Sequence, residues 1–313
     1  MKLLLPDSLP LAPAVPEGVE TVPYDTSTPV PDEHLDAEAL VVWGSSGADL
    51  GAVAGRMPEL RWVQTLAAGP DAVLAAGFPD DVVITSGSGL HDRPVAEHAL
   101  ALVLALVRRL PAASRAQGEH RWARELGGLQ PLHPEGAVTT LLGARVLVWG
   151  FGSIGQTVAP FLEQLGAEVR GVARSAGERS GFAVVAEEDL AGELGQTDVL
   201  LMILPSTDAT TRALDAGRLA ALPEHAYVVN VGRGSTVDEP ALVAALCGGG
   251  IAGAALDVTS TEPLPADSPL WDAPNLLLTP HAAGGRPVGA DELITDNLAA
   301  LLAGRDLKNV VER

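Results

Sequence analysis

Three polar residues in the second half of the chain have side chains that together suit the reduction of a carbonyl group. Each follows a short apolar run that predicts a strand: Arg233 in NVGRG, Glu262 in DVTSTEPLP and His281 in TPHAAG. Because parallel strands end at the same edge of a sheet, we expect these side chains to share a site. A guanidinium can hold a carboxylate and polarise a ketone, and an imidazole oriented by a carboxylate can donate a proton. The set therefore predicts a site that reduces a 2-oxo acid.

A glycine-rich turn predicts where a dinucleotide would bind. The stretch ARVLVWGFGSIGQTVAPFLEQLG, residues 144–166, contains an apolar strand, three glycines and a helix. Gly150 would permit the tight turn, Gly152 would let the backbone approach a pyrophosphate, and Gly155 would let the helix pack on the strand. The free N–H groups at the start of the helix would face the anion. We therefore expect a phosphate-binding strand, turn and helix here.

The residues after the next strand indicate which dinucleotide is bound. An acidic residue about 20 positions after the glycines typically holds the ribose hydroxyls of NAD. Here the sequence reads VARSAGERS, with Arg174 where the acid is expected and Ser175 beside it. A guanidinium and a hydroxyl can pair with a 2′-phosphate, whereas a carboxylate would repel it. We predict NADP(H), with NAD(H) as the alternative cofactor; Arg174 as an ordinary surface arginine is the competing interpretation.

Alternating strand and helix patterns must position these motifs. A long apolar helix is predicted from Pro94, with Arg108 and Arg109 in its last turn, where they suit the helix dipole. Almost every face of this helix is apolar, so we expect it to be buried between domains or subunits, with His98 packed in the helix. Residues 112–142 are expected to be irregular. The later strands alternate with helices, which predicts a doubly wound parallel sheet.

Two further observations concern the helix after the glycine turn and the last helix of the chain. Apolar residues recur at helical spacing along the first of them: Ile154, Val158, Phe161, Leu162 and Leu165. The last helix, residues 289–303, is expected to pack back on the N-terminal part of the chain.

Composition excludes several classes of function. Asp and Glu number 40 against 20 Lys and Arg, a net charge of −20, which argues against nucleic acid or an anionic membrane as partner. The longest apolar run, residues 99–107, is too short to span a bilayer, so a cytoplasmic location is expected. The histidines show no metal-ligand spacing, and no metal site is predicted. The single Cys247 is expected to be a core thiol.

Further motifs occur in the order typical of one enzyme family. They are WVQTLAAGPD from Trp62, PVAEHALALVLAL from Pro94, TDVLLMILPST from Thr197 and SPLWDAPNLLLTPH from Ser268. With the glycine turn and the three strand-end stretches, they show that nearly the whole sequence resembles the D-isomer-specific 2-hydroxyacid dehydrogenases. The resemblance implies a small 2-oxo or D-2-hydroxy acid as substrate and a homodimer formed through the helical region after Pro94.

The resemblance also implies roles for individual residues. Arg233, Glu262 and His281 match the catalytic residues, and Ala68 and Gly69 match a loop whose N–H groups, together with Arg233, hold the substrate carboxylate. Cofactor contacts are expected at Gly150, Gly152, Ser153, Ile154, Gly155, Arg174, Ser175, Leu204, Pro205, Val231, Gly232, Asp257, His281 and Gly284.

The predicted fold is α/β, with two domains. A Rossmann-type doubly wound sheet, the dinucleotide-binding domain, is expected over residues 94–285. Residues 1–93 plus 286–313 are expected to form a smaller, flavodoxin-like substrate domain. The predicted reaction is hydride transfer between NADP(H) or NAD(H) and an acid such as glyoxylate or hydroxypyruvate. Three alternatives stay open: a phosphoglycerate-type dehydrogenase, a corepressor-like regulator that binds dinucleotide, and an enzyme acting on formate or phosphite.

Overall fold

The computed structural model describes residues 1–128 and 131–313, which divide into two compact units. The smaller unit contains Met1–His91 and Gly285–Arg313, and the larger one contains Asp92–Gly284. Each unit has its own sheet with helices packed on it. The predicted α/β fold class is confirmed.

The strands and helices are numbered here in chain order. The strands are β1 (Lys2–Pro6), β2 (Glu20–Tyr24), β3 (Ala39–Val42), β4 (Trp62–Thr65), β5 (Val83–Thr85), β6 (Arg145–Trp149), β7 (Glu168–Ala173), β8 (Gly177–Arg179), β9 (Phe182–Ala186), β10 (Val199–Met202), β11 (Tyr227–Asn230), β12 (Gly253–Leu256) and β13 (Leu276–Leu278). The helices are α1 (Gly47–Ala54), α2 (Asp71–Ala75), α3 (Asp92–Val107), α4 (Leu110–Gly118), α5 (Ser153–Gln164), α6 (Leu190–Leu194), α7 (Ala216–Ala221), α8 (Glu239–Cys247) and α9 (Ala290–Leu302).

The smaller unit is built on a parallel sheet in the order β2-β1-β3-β4-β5. Side chains alternate between its faces because successive residues of a strand point to opposite sides. Leu4 and Leu40 pack with the core residues of α1 and α2. Leu3, Val41 and Trp62 pack on the other face with α9, which brings the end of the chain back to the N-terminal strands as predicted.

The larger unit has an eight-stranded sheet in the order β13-β12-β11-β10-β6-β7-β9-β8. Its neighbouring strands run parallel except β8, which pairs antiparallel with β9. Helices α3 and α5 cover one face, and α6, α7 and α8 cover the other. Apolar residues therefore fill both faces of the central strands, which explains their unbroken apolar runs.

The long helix differs from its prediction at both ends. It begins at Asp92 and ends at Val107, so Arg108 lies beyond its last turn. Arg109 has a left-handed backbone, with φ 55°, which stops the helix. Helix α4 starts directly after it with Pro111 in its first turn, inside a region expected to be mostly irregular. Helix α3 buries its apolar face in the core of its own unit.

Three apolar residues on or next to helices of the larger unit have exposed side chains. Phe161, on the outer side of α5, and Leu165, which directly follows this helix, are 48% and 42% exposed, whereas Val158 and Leu162 are fully buried. Cys247 is the last residue of α8 and is also exposed, so its prediction as a core thiol is wrong.

The described residues contain neither a membrane-spanning helix nor a metal-binding cluster. No helix in that part of the chain is long and apolar enough to cross a membrane. Likewise, no group of three or more His, Cys, Asp or Glu side chains in it is arranged to bind a metal ion.

Candidate functional site

The glycine turn lies at the carboxyl end of β6, next to β10, where the strand order of the sheet reverses. Such switch points are where ligands bind in doubly wound sheets. Gly150 has φ 101°, and a Cβ there would lie 2.5 Å from the carbonyl oxygen of Ile203. A Cβ already exists in every other residue type, so this tight passage beside β10 requires glycine. Gly155 lies close to the strand as predicted: a Cβ would lie 3.0 Å from the Gly150 oxygen.

Gly152 differs from the other two glycines because it faces open space. A Cβ on Gly152 would have no atom within 4 Å. Helix α5 begins at the next residue, and the N–H groups of Ser153, Ile154 and Gly155 make no backbone hydrogen bond in the described structure. Free N–H donors and the positive end of a 12-residue helix suit a phosphate anion. The residues present therefore fit a dinucleotide pyrophosphate. The hydroxyl of Ser153 is already engaged, since it donates to Asp92 at 2.9 Å.

Arg174 and Ser175 directly follow β7, and both are exposed. Within the described residues the guanidinium of Arg174 has no hydrogen bond or ion pair, which leaves its donors available. The hydroxyl of Ser175 accepts from Nη2 of Arg179 at 3.1 Å. Arg179 also donates from Nη1 to the carbonyl oxygen of Phe151 at 3.1 Å. Arg179 thus ties the glycine turn to the residues that follow β7.

Arg233 lies in a turn after β11 that glycines hold against neighbouring chain. A Cβ on Gly232 would lie 2.5 Å from the carbonyl oxygen of Leu204, which follows β10. A Cβ on Gly234 would lie 1.9 Å from the carbonyl carbon of Thr259, in the loop that carries Glu262. Both glycines are therefore needed for backbone contact. They fix the Arg233 turn between the segments that follow β10 and β12, the two strands on either side of β11.

The buried side chain of Asn230 fixes the same turn from within. Its amide nitrogen donates to the carbonyl oxygen of Arg233 at 3.0 Å, and its oxygen accepts from the N–H of Gly232 at 3.0 Å. The half-buried Arg233 donates from Nη1 to the Gly232 carbonyl at 2.9 Å. Local hydrogen bonds consequently hold both the backbone carbonyl of Arg233 and one nitrogen of its guanidinium.

Glu262 and His281 form a direct pair. Nδ1 of His281 donates to Oε2 of Glu262 at 2.7 Å. The other carboxylate oxygen of Glu262 accepts from the backbone N–H of Thr259 at 3.0 Å. The structure therefore brings these two predicted residues together, and the bond at Nδ1 leaves Nε2 as the ring nitrogen that can face a substrate.

Asp257, expected near the nicotinamide, is 1% exposed and holds the turn that contains His281. Its backbone carbonyl accepts from the N–H of His281 at 2.8 Å. Its carboxylate accepts from the N–H groups of Ala282 and Ala283 at 2.8 and 3.0 Å. These bonds fix His281 although its φ of 52° is unfavourable for a residue with a side chain.

The remaining expected cofactor contacts lie at strand ends of the same sheet. Leu204 and Val231 are buried near the ends of β10 and β11, Pro205 is exposed, and Gly284 is half-buried at the end of the larger unit.

Ala68 and Gly69 lie in the smaller unit, in the turn between β4 and α2. In the described structure their N–H groups have no hydrogen-bond acceptor, which suits a carboxylate ligand. The turn is fixed just before them: the N–H of Gly87 donates to the Ala67 carbonyl at 2.8 Å, and Nε2 of His91 bonds the Leu66 carbonyl at 2.8 Å.

Sequence reasoning missed His98. Instead of only packing in its helix, its Nε2 lies 3.1 Å from both Oδ1 of Asp257 and Oγ1 of Thr279. The sequence contained one signal, a single histidine in a mostly apolar helix. Nothing in the neighbouring residues indicated that Asp257 and Thr279 would be the partners of His98. The sequence likewise gave no indication that Arg179 bonds both Phe151 and Ser175.

Comparison with known proteins decides the family. Residues 100–283 match the family model described as D-isomer specific 2-hydroxyacid dehydrogenase, NAD binding domain. The chain belongs to this family. Glyoxylate/hydroxypyruvate reductase A of Salmonella paratyphi B is 36% identical to it over 273 residues, which cover 83% of this chain and 82% of that protein. The family predicted from the motifs is confirmed.

Two further members of the dehydrogenase family bear on cofactor and substrate. The structure of an NADPH-dependent glyoxylate/hydroxypyruvate reductase from Sinorhizobium meliloti, in complex with NADP and sulfate, matches with a TM-score of 0.82 and 26% identity, covering 99% of this chain and 98% of that one. D-3-phosphoglycerate dehydrogenase of Mycobacterium bovis is 32% identical over 284 residues, covering 88% of this chain. This chain spans about half, 51%, of that protein's length.

Proposed function

We propose that this dehydrogenase reduces a small 2-oxo acid to the D-2-hydroxy acid with NADPH. The observation that carries the proposal is the His281–Glu262 pair, with 2.7 Å between Nδ1 and Oε2. Glu262 follows β12 and His281 follows β13, which are neighbouring strands. The same sheet carries the Arg233 turn and the glycine turn. The similarity to glyoxylate/hydroxypyruvate reductase A, over most of both chains, supports a small acid as substrate.

In the proposed reduction, different residues of the chain bind the substrate, donate the proton and orient the proton donor. A nicotinamide dinucleotide, when bound, supplies the hydride. The guanidinium of Arg233 would bind the substrate carboxylate and polarise the ketone, and the free N–H groups of Ala68 and Gly69 would also bind the carboxylate, as the family resemblance implies. Nε2 of His281 would donate the proton to the carbonyl oxygen. Glu262 would orient the ring and stabilise its protonated form through Nδ1.

The preference for NADP(H) is supported by the residues after β7. Arg174 has free donors among the described residues, and Arg179 holds the hydroxyl of Ser175 in place. The Sinorhizobium meliloti reductase was crystallised with NADP. The pyrophosphate would lie at Gly152 and the first N–H groups of α5.

Oxidation of D-3-phosphoglycerate is the second candidate. The identity of 32% to the Mycobacterium bovis enzyme favours it, and the same Arg, Glu and His can run the reaction in the direction of oxidation. A regulator that only binds dinucleotide is not favoured by any contact described here.

A spectrophotometric assay tests the proposal. NADPH and NADH would be mixed in parallel with glyoxylate, hydroxypyruvate, pyruvate and phenylpyruvate, and D-3-phosphoglycerate would be tested with NADP⁺ and NAD⁺. We expect NADPH oxidation with at least one 2-oxo acid. Turnover of phosphoglycerate alone would favour the second candidate. Tight NADPH binding with no turnover of any acid would contradict both.

We also propose that the protein is a homodimer. Large apolar side chains are exposed in the larger unit: Trp122 at 88%, Leu132 at 54%, Leu142 at 52%, Phe161 at 48% and Leu165 at 42%. We call these five residues the apolar set. Exposed apolar side chains that form one contiguous patch typically mark a protein interface, and we take the apolar set to belong to such a patch. The occupant proposed is a second copy, because the family resemblance implies dimerisation through this region. The cytoplasmic location stays a prediction.

A further inference from the structure

The carboxylate of Asp257 is buried and accepts three hydrogen bonds. Three donors belong to the turn of His281: the Thr279 hydroxyl at 2.6 Å and the N–H groups of Ala282 and Ala283 at 2.8 and 3.0 Å. A carboxylate removed from water destabilises the fold unless donors or a cation replace the water. The arrangement of this turn therefore depends on the position of the Asp257 carboxylate.

A fourth polar group, the imidazole of His98, approaches this carboxylate from a different element. It lies in the second turn of α3, whose apolar face is packed in the core of the larger unit. Its Nε2 is 3.1 Å from Oδ1 of Asp257 and 3.1 Å from Oγ1 of Thr279. Because the Thr279 hydroxyl donates its proton to Asp257, its oxygen accepts the hydrogen bond from Nε2 of His98. Among the described residues His98 is also the basic side chain within ion-pair distance of this carboxylate.

The main chain of His281 is therefore held through a relay that begins at His98. Asp257 binds the N–H of His281 with its carbonyl oxygen and the next two N–H groups with its carboxylate. His281 has φ 52°, a conformation that needs such support. A small shift of Asp257 would tilt the imidazole away from both Glu262 and the reacting carbonyl.

We propose that His98 is a positioning residue: through Asp257 and Thr279 it holds the His281 turn in the geometry needed for proton transfer. The role rests on the proposed function of His281 as the proton donor. His98 itself contacts neither Glu262 nor His281 in the described structure. Its effect must therefore pass through the shared hydrogen bonds.

Two substitutions at His98 separate positioning from packing. His98→Leu keeps the apolar bulk and removes the donor, whereas His98→Gln places an amide N–H at nearly the reach of Nε2. We expect His98→Leu to lower kcat about tenfold or more, because small misplacement of a catalytic group has large effects on rate. His98→Gln should retain kcat within about threefold, and KM for NADPH should change less than twofold in both.

A spectroscopic readout makes the test independent of turnover. The proton on Nδ1 of His281, bonded to Glu262, should give a downfield NMR signal in the wild-type protein without substrate. His98→Leu should shift or broaden this signal, and His98→Gln should preserve it. If the wild-type protein turns over no acid, the proposed function fails while this signal still tests the positioning role.

A second histidine–aspartate pair provides the control. His225 bonds Asp198 at 2.9 Å in the same unit, at the amino end of β10. His225→Leu should leave kcat and the His281 signal unchanged. If His98→Leu does not fold, Thr279→Val, which removes the bridging hydroxyl, should reproduce the loss of kcat and the shifted signal. Unchanged kcat and an unchanged His281 signal in the folded variants would overturn the proposal, even if they melt at lower temperature.

Discussion

His281 has two ring nitrogens, and the described structure engages only one of them. Nδ1 is bound to Glu262 at 2.7 Å, while Nε2 has no hydrogen-bond partner within the described residues. The ring is about half exposed, so a substrate can reach it. This is the arrangement that a general acid requires: one nitrogen fixes the ring, and the other transfers the proton.

Replacing His281 should therefore remove proton transfer and leave cofactor binding nearly intact. We expect His281→Ala to lower kcat by about 10² to 10⁴, the usual contribution of a positioned general acid. KM for NADPH should stay within about threefold of the wild-type value. The measurement is initial-rate kinetics with the best 2-oxo acid. Turnover within a few-fold of wild type would exclude His281 as the acid.

The preference for NADPH is expected to depend on Arg174. Arg174→Asp replaces a cation with an anion that repels a 2′-phosphate and can bind ribose hydroxyls. We expect the ratio of kcat/KM for NADPH over NADH to fall at least tenfold, which is about 1.4 kcal/mol. The matched control is Arg170→Asp, since Arg170 is an exposed arginine on β7, the strand just before Arg174, and pairs with Glu193. An unchanged cofactor ratio in Arg174→Asp would identify it as an ordinary surface residue.

At the scale of elements, two glycines of the glycine turn are expected to have different roles: the fold requires Gly150, whereas a bound pyrophosphate would require Gly152. Gly152→Ala adds a methyl group in open space, whereas Gly150→Ala places one 2.5 Å from a backbone oxygen at φ 101°. We expect Gly152→Ala to keep the wild-type melting temperature and to raise KM for NADPH at least tenfold. Gly150→Ala should instead lower the melting temperature or fail to fold. Equal effects of both variants on the melting temperature and KM would contradict the assignment of Gly152 to the pyrophosphate.

Elements with a clear local sequence pattern could be predicted, whereas elements without one were missed. The β6–α5 unit was predicted because an apolar run, the glycines and a helical period occur in sequence. Strand β2 was missed because it lies at the sheet edge, contains Pro23 and is mostly exposed. The β8–β9 hairpin was missed because its strands are short and lie at the other sheet edge. Helix α4 was missed because LPAASRAQG has little apolar pattern.

The same distinction holds for the candidate site. Arg233, Glu262 and His281 could be proposed from strand-end motifs, and the structure joins two of them directly. The contact between His98 and Asp257 could not be inferred, since it depends on how α3 crosses the sheet. Packing of that kind is set by the whole core of the unit and not by local sequence.

At the scale of the whole molecule, the exposed apolar set contrasts with the high net negative charge of the chain. The chain carries a net charge of −20, which favours solubility and repulsion between copies. Yet Trp122 is 88% exposed, and both Phe161 on α5 and Leu165 just after it are almost half exposed. Exposed groups of this kind cost little in a dimer, where they are removed from water. In the proposed dimer a second copy would cover Phe161 and Leu165.

A charge placed in the apolar set should therefore dissociate the dimer. Phe161→Glu would bury a carboxylate against apolar groups, and the desolvation cost of several kcal/mol should weaken association at least about 100-fold. Leu302→Glu, on α9 of the smaller unit, is the matched control, because Leu302 is an exposed helix residue of similar exposure, 46%. Sedimentation velocity should show a dimer for the wild-type protein and Leu302→Glu, and a monomer for Phe161→Glu with an unchanged circular dichroism spectrum. A wild-type monomer would refute the homodimer, and a Phe161→Glu dimer of wild-type affinity would place the interface elsewhere.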